Sequence, residues 1–243
     1  SMPAIYLDYA ATSPIPPAVR DAMLPWLAEG FGNPSSVHGS GRKARNAIES
    51  SRETLAALLR VAPGDIIFTS GGTESNFLAI SGFEGGGQFV TSPVEHSAVL
   101  QPVRARQSER VRMVEPTGAG VVALDAVTPC LTQDSLASFM LVNNELGVVN
   151  PVRELAAACR SAGAFLHTDA VQAPAWSDLN LAELGADLVT LSGHKVGGPK
   201  GVGMLYVKPG TPFDGVSPGG GQERNRRGGT ENVPGIVGFA KAM

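Results

Sequence analysis

The sequence predicts an α/β fold with a mainly parallel sheet, and two observations support this. Apolar, β-branched runs of strand length recur along the chain, and stretches with helical patterning separate most of them. This alternation is typical of strands that are joined by helical crossovers within one sheet. The predicted strands are the runs 65–69, 88–91, 111–114, 138–142, 164–168, 187–191 and 204–207.

Before the first of these strands, the sequence predicts a short extended segment and two helices. The extended segment covers 5–8, and a proline-rich stretch then precedes an amphipathic helix with Val19, Met23 and Trp26 on one face. The turn-forming residues of 31–36 predict a loop. A second helix is expected from about 42 to 59.

The composition argues against several classes of protein. A chain of 243 residues that is 43% hydrophobic can bury a sizeable core in one large domain. The net charge of −3, with no basic run beyond 224–227, gives no case for a nucleic-acid partner. No apolar stretch reaches about 18 residues, so we expect no membrane-spanning helix. With no signal peptide and only two cysteines, the sequence favours a cytoplasmic protein.

Polar groups follow five of the predicted strands at the point where each strand ends. In open α/β sheets the ligand binds beyond the carboxyl ends of the strands, so these groups are expected to share one site. Together they supply an amine, a carboxylate, an imidazole and a possible anion cradle. The segments are 70–74, 95–96, 143–145, 169–172 and 192–195.

Lys195 is the most informative residue of this set. It ends a predicted buried strand and lies in a tight, glycine-rich turn. Partial burial or a neighbouring cation lowers the pKa of a lysine, and such a lysine can form a Schiff base with a carbonyl. The alternative interpretation is an ordinary surface lysine in a hairpin.

The other candidates also allow two interpretations each. Gly72 and Thr73 open a predicted helix and could direct N–H groups and a hydroxyl at an anion, or simply cap the helix. Asp169 could be a helix cap, a metal ligand or the partner of a protonated ring nitrogen, and no ligand spacing supports a metal. His96 could act in acid–base chemistry, stack on a ring or serve as a hydrogen-bonded loop histidine. His167 is expected to be structural.

One cofactor uses all of these groups together. Pyridoxal 5′-phosphate (PLP) needs a Schiff-base lysine, an acidic partner for its pyridinium nitrogen and a phosphate site. The residues therefore favour PLP as the cofactor.

Eight segments resemble the cysteine desulfurase family, which belongs to the class V aminotransferase group of fold-type I PLP enzymes. They occur in order, at matching spacing, over essentially the whole chain. The segments are DYAAT (8–12), FGNPSS (31–36), FTSGGTES (68–75), VEHSAV (94–99), VNNELGVV (142–149), HTDAVQ (167–172), SGHKVGGPKGVG (192–203) and GGGQERNRRGGTEN (219–232). The resemblance implies a three-layer sandwich with a mainly parallel mixed sheet, as in the large domain of that group.

The resemblance also implies a role for each candidate residue. Lys195 would form the Schiff base with PLP, Asp169 would pair with the pyridinium nitrogen, and His96 would stack on the ring and shuttle protons. Contacts to the ring oxygen region would come from Asn144 and Gln172. The phosphate would be held by Gly72, Thr73, Ser192 and His194. A loop that crosses a homodimer interface would place Thr230 on the phosphate of the neighbouring subunit.

The implied reaction converts L-cysteine to L-alanine and transfers sulfur to an enzyme cysteine, with iron–sulfur cluster assembly as the associated process. Cys130 and Cys159 do not match the catalytic position of the family. We therefore expect 16–243 to be a PLP-binding large domain that is truncated, with 1–15 belonging to an absent small domain. Such a chain is not expected to be a competent desulfurase alone. A sulfur-acceptor or scaffold protein is a possible partner.

Three alternatives remain open at this point. The chain could be a selenocysteine lyase, another class V aminotransferase or lyase, or a non-catalytic or split-enzyme PLP domain.

Overall fold

The computed structural model describes residues 5–106, 108–215 and 219–243. Seven strands form one sheet in the order β1-β7-β6-β5-β4-β2-β3. The strands are β1 Ile66–Thr69, β2 Phe89–Thr91, β3 Val111–Met113, β4 Leu136–Ser138, β5 Phe165–Asp169, β6 Leu188–Ser192 and β7 Gly203–Val207. The α-helices are α1 Pro17–Leu27, α2 Gly39–Leu59, α3 Gly72–Ser81, α4 Ser97–Arg104, α5 Leu124–Val127, α6 Val152–Ser161, α7 Leu181–Leu184 and α8 Val233–Ala242.

The sheet is mixed and mostly parallel, as the sequence predicts. Strands β3, β2, β4, β5 and β6 pair in parallel, whereas β7 is antiparallel to both β6 and β1. The register is continuous across the centre, where Thr168 of β5 pairs with Val189 of β6. The carboxyl ends of β4, β5 and β6 therefore meet at one edge of the sheet.

Both faces of the sheet are covered, which gives three layers. Successive strand residues contribute to two separate apolar clusters, because side chains alternate between the faces of a strand. In β1, Ile66 and Phe68 join the cluster that includes α2, α6 and α8, whereas Ile67 joins the cluster that includes α3 and α4. The expected three-layer architecture is confirmed.

The fourth strand is the clearest difference from the sequence prediction. Its ladder covers Leu136–Ser138 rather than 138–142. The next residues remain bonded to β5, because the N–H of Phe139 donates to the carbonyl of His167 and that of Leu141 to the carbonyl of Asp169. The run 139–142 is apolar because its residues pack against the core just beyond the end of the strand. The ladder itself has the sequence Leu-Ala-Ser.

The first two helices agree with the sequence prediction. Val19 of α1 is buried and Trp26 packs against the main core. Helix α2 begins at Gly39, where Nδ1 of His38 accepts the N–H of Gly41 at 3.4 Å and caps the helix. None of the described helices combines the length and the apolar character needed to cross a bilayer.

Candidate active site

A cavity of about 220 Å³ lies at the carboxyl ends of the central strands. All of the sequence-predicted site residues line it except Thr230. The lining residues come from α3, the loops after β2 and β4, the end of β5 and the end of β6. The lining consists of Gly72, Thr73, Asn76, His96, Ala98, Met140, Val142, Asn144, Asp169, Val171, Gln172, Ser192, His194 and Lys195.

Lys195 ends a single 3₁₀ turn, Gly193–Lys195, that directly follows β6. Its Nζ donates to the carbonyl of Ala10 and, at 2.9 Å, to the carbonyl of Ala11. Burial lowers the pKa of Lys195, although the carboxylates of Asp169 and Asp8 oppose that change. A larger fraction of the amine is therefore neutral than for a free lysine.

Asp169 is the last residue of β5, and only 7% of its surface is exposed. The Oδ2 atom accepts from Nδ2 of Asn76 at 2.7 Å, and Oδ1 accepts the N–H of Val171 at 3.0 Å. Burial raises the pKa of Asp169 above its ordinary value. The two hydrogen bonds oppose this rise, as do the charges of His96 and Lys195.

Asn76 is a site residue that sequence reasoning missed. It lies in the second turn of α3, is almost completely buried and lines the cavity. A single buried asparagine within a helical pattern gives no local signal. Its partner Asp169 is 93 positions away along the chain.

The start of α3 and the end of β6 form the candidate anion cradle. Helix α3 begins at Gly72, and a side chain added there would approach Cγ2 of Val171 to 3.1 Å. The Oγ atom of Ser192 is buried and has no hydrogen-bond partner among the described residues. A buried hydroxyl beside the N–H groups of a helix start fits a phosphate, which would supply the missing partner.

His194 lies in the turn after β6, and its Nδ1 is 3.1 Å from Oγ1 of Thr12. Burial lowers the pKa of this imidazole, and the nearby charges of Lys195 and Lys200 lower it further. A neutral imidazole can still donate one hydrogen bond to an anion.

His96 and Gln172 are held by the backbone around the cavity. Nδ1 of His96 accepts the N–H of Ala98 at 3.0 Å and so caps α4. Nε2 of Gln172 donates to the carbonyl of Ala10 at 2.9 Å, next to the contact made by Lys195. Residues 10–13 of the N-terminal segment therefore contact the site directly.

Thr230 lies outside the cavity and is exposed. Its segment is fixed to the start of α3 through a side-chain pair. Arg227 donates twice to Glu74, at 2.7 and 3.2 Å, and Glu74 also accepts the N–H of Ser70. The expectation that Thr230 serves a neighbouring subunit stays a prediction.

The remaining candidates for chemistry lie away from the cavity. Both cysteines are in described ranges and neither lines it. Cys159 is fully buried in the core, and burial raises the pKa of its thiol to about 12. His167 is also fully buried, with Ser138 Oγ at 2.7 Å and Thr190 Oγ1 at 3.0 Å from its ring nitrogens. Within the ranges that the structure describes, no group of His, Cys, Asp and Glu could hold a metal ion.

Comparison with known proteins identifies the class. The model of the family "Aminotransferase class-V" matches residues 5–243. A cysteine desulfurase IscS from Dictyoglomus turgidum is 44% identical, and a cysteine desulfurase from Bradyrhizobium diazoefficiens is 46% identical. Each match covers 98% of this chain and 63% of the relative, so the chain spans less than two thirds of the length of these relatives.

Solved structures give the same result. A NifS-like protein superposes with a TM-score of 0.93 at 37% identity, covering 98% of this chain and 68% of that one. A structure described as SspA in complex with cysteine superposes with a TM-score of 0.92 at 37% identity, covering 98% and 72%. The chain therefore belongs to the aminotransferase class-V family, whose members use PLP, and it is similar to proteins named as cysteine desulfurases and to a NifS-like protein.

Proposed function

We propose that this chain is the cofactor-binding part of a PLP-dependent cysteine desulfurase that acts on L-cysteine. The observation that carries the proposal is the convergence of Lys195, Asp169 and His96 on one cavity beside a helix start. When bound, PLP supplies an electron sink for the electrons released at the substrate Cα.

Lys195 is the proposed attachment point for the cofactor. Because burial lowers the pKa of its amine, part of the population is neutral and can attack a carbonyl. The carbonyls of Ala10 and Ala11 accept from Nζ and so orient the amine at the end of β6.

Asp169 is the proposed partner of the cofactor's ring nitrogen. A negative charge beside that nitrogen favours its protonated form through the nearby-charge effect. The hydrogen bonds from Asn76 and Val171 use one carboxylate oxygen each, which leaves a second lone pair on either oxygen for a further donor.

His96 is proposed to stack on the ring and to move the proton at the substrate Cα. Its Nδ1 atom accepts the N–H of Ala98, so in the neutral ring Nε2 carries the proton and faces the cavity as a donor, and the ring can take up a second proton only when Nδ1 releases Ala98. Asn144 and Gln172 are proposed to contact the ring oxygen region.

The anion cradle is proposed to hold the phosphate of PLP. Its donors are the N–H groups of Gly72 and Thr73 together with the side chains of Thr73, Ser192 and His194. The unpartnered hydroxyl of Ser192 is the observation that supports this role.

The sulfur of cysteine must pass to a thiolate, and neither Cys130 nor Cys159 lines the cavity. We therefore propose that the accepting thiol lies outside the 243 residues described by this sequence. The same proposal includes transfer of the sulfur to a sulfur-acceptor protein and a role in iron–sulfur cluster assembly. It also includes a homodimer in which Thr230 reaches the phosphate bound by the neighbouring subunit.

Borohydride reduction of the PLP-loaded protein tests the assignment of Lys195. We expect a single pyridoxyl-modified peptide that contains Lys195, and no modification in a Lys195→Ala variant. Lys200→Ala is the matched control, because Lys200 is an exposed lysine five positions along the same turn region. Modification of another lysine, or bound PLP without any adduct, would contradict the proposal.

A further inference from the structure

Asn76 makes a contact with Asp169 that bears on the electrostatics of the cavity. Its Nδ2 lies 2.7 Å from Oδ2 of Asp169, and both side chains are buried. An amide N–H can only donate and a carboxylate can only accept, so this orientation of the Asn76 amide is fixed by its partner. The opposite atom, Oδ1, is buried without a hydrogen-bond partner among the described residues.

The contact is stronger with a charged partner than with a neutral one. Hydrogen bonds to an ionised group are shorter and about twice as strong as those between neutral groups. The N–H of Asn76 therefore favours the carboxylate form of Asp169, against the effect of burial. A protonated Asp169 would offer this donor a weaker acceptor.

Several other charged or titratable groups face Asp169. The positive charges of His96 and Lys195 lower its pKa, and the N–H of Val171 lowers it as well. Glu95 is buried nearby, and burial raises its pKa well above the ordinary value; the N–H of Met140 opposes this rise, whereas the charge of Asp169 adds to it. Among the groups that oppose burial at Asp169, the amide of Asn76 has the largest effect.

Helix α3 explains why Asn76 is well placed for this contact. The helix starts at Gly72 in the anion cradle, and Asn76 follows four residues later. At a rise of 1.5 Å per residue these positions are about 6 Å apart along the axis. One rigid helix therefore reaches both the anion cradle and the carboxylate of Asp169.

We propose that Asn76 is a positioning residue for Asp169. Its amide N–H fixes the carboxylate at the cavity and keeps it charged for the ring nitrogen of the cofactor, an assignment that rests on the function proposed above. Asn76 acts through Asp169 and is not itself assigned a step in the reaction.

The first experiment needs no cofactor. The carboxyl carbon of aspartate is labelled with ¹³C, the Asp169 resonance is assigned with an Asp169→Asn variant, and its chemical shift is followed with pH. Loss of a hydrogen bond to a charged group in Asn76→Ala is expected to raise the midpoint by at least about one pH unit. Ser75→Ala is the control, because Ser75 is buried in the same helix but bonds to Thr69 instead.

Asn76→Leu is a second variant, because it keeps a similar side-chain volume and removes the donor. A midpoint that matches the wild type in either folded variant overturns the proposal. If neither variant folds while Ser75→Ala does, Asn76 supports the fold rather than Asp169, and the proposal fails.

The second experiment is a double-mutant cycle on PLP binding, followed by the visible absorption band and its pH dependence. At a pH below the Asp169 midpoint, Asn76→Ala is expected to weaken PLP binding about tenfold, because a rise of one pKa unit leaves a tenth as much carboxylate there. In an Asp169→Asn background, the same substitution is expected to have no further effect. Equal losses in both backgrounds would show that Asn76 does not act through Asp169.

The two experiments separate this inference from the proposed function. A wild-type chain that takes up no PLP refutes the proposed function and the role of Asn76 toward the cofactor. The titration without cofactor still decides whether Asn76 keeps the charge on Asp169.

Discussion

Glu223→Ala is predicted to destabilise the fold strongly, because Glu223 makes a buried ion pair. Its Oε1 and Oε2 accept from Nη2 and Nη1 of Arg52 at 2.7 and 2.8 Å. The Oε2 atom also accepts the N–H of Phe68 at 2.9 Å, and the Arg52 guanidinium lies 4.6 Å from the centre of the Phe68 ring. Both charged residues are 4% exposed.

The ion pair also holds a strained piece of backbone. Glu223, Arg224 and Asn225 have φ values of 47°, 58° and 66°, which are left-handed conformations of non-glycine residues. Each such residue costs roughly 1–2 kcal/mol. The pairing of Glu223 with Arg52 and with the edge strand β1 offsets part of this cost and keeps the segment against the sheet.

Removing one partner leaves the other buried and charged. Such a loss costs about 3–5 kcal/mol, since the buried Arg52 is left with the half-exposed Glu49 and the carbonyl of Ile66 as partners, and the N–H of Phe68 loses its acceptor. At about 2–4 °C per kcal/mol for a chain of this size, the melting temperature of Glu223→Ala should fall by about 6–20 °C.

Urea and thermal unfolding measure this effect, with two comparisons. Glu183→Ala removes an exposed ion-pairing residue and is expected to change the free energy of unfolding by less than about 1 kcal/mol. The double variant Arg52→Met with Glu223→Met should be less destabilised than Glu223→Ala, because no lone charge remains buried. A loss in Glu223→Ala no larger than in Glu183→Ala would refute this reasoning.

Three further predictions concern pH, assembly and activity. Burial lowers the pKa of His167 to about 3, so the unfolded chain binds a proton that the folded chain excludes as pH falls from about 6.5 towards 3. His167 should therefore reduce stability by about 1.4 kcal/mol per pH unit in that window, and a His167→Gln variant should show a correspondingly flatter dependence of unfolding free energy on pH. The PLP-loaded chain should sediment as a homodimer through the segment 219–230, and a fully loaded monomer at micromolar concentration would contradict this. The 243-residue chain alone should not produce alanine catalytically from cysteine, because neither thiol lines the cavity; turnover that disappears in Cys130→Ser would refute this prediction.

Much of the fold could be predicted because its determinants are local in the sequence. The run 187–191 shows no polar alternation, since β6 is buried on both faces and three of the five residues, Leu188, Val189 and Leu191, are apolar. The end of each strand is equally visible, because polar residues follow the apolar run, although Asp169 and Ser192 are themselves buried. For this reason the sequence predicts that Lys195 and Asp169 share one site.

The limits of the prediction lie where the partner is distant in sequence or belongs to the backbone. The carbonyls of Ala10 and Ala11, which accept from Lys195, carry no side-chain signal. Glu223 lies in a glycine- and arginine-rich stretch that is typical of an exposed loop, yet it is buried because Arg52 of α2 reaches it across 171 positions. Such burial depends on pairing that only the folded chain creates.

Asn76 shows how a functional residue can remain invisible in a correctly predicted element. The helix start at Gly72 could be recognised from its glycines, and the carboxylate of Asp169 from its position after a strand. What connects them is the packing of α3 against the central strands, which places the second turn of the helix beside β5. The charge on Asp169 therefore depends on how α3 packs against the sheet. A small change in that packing should shift the protonation of Asp169 even where the pairing of the strands is unchanged.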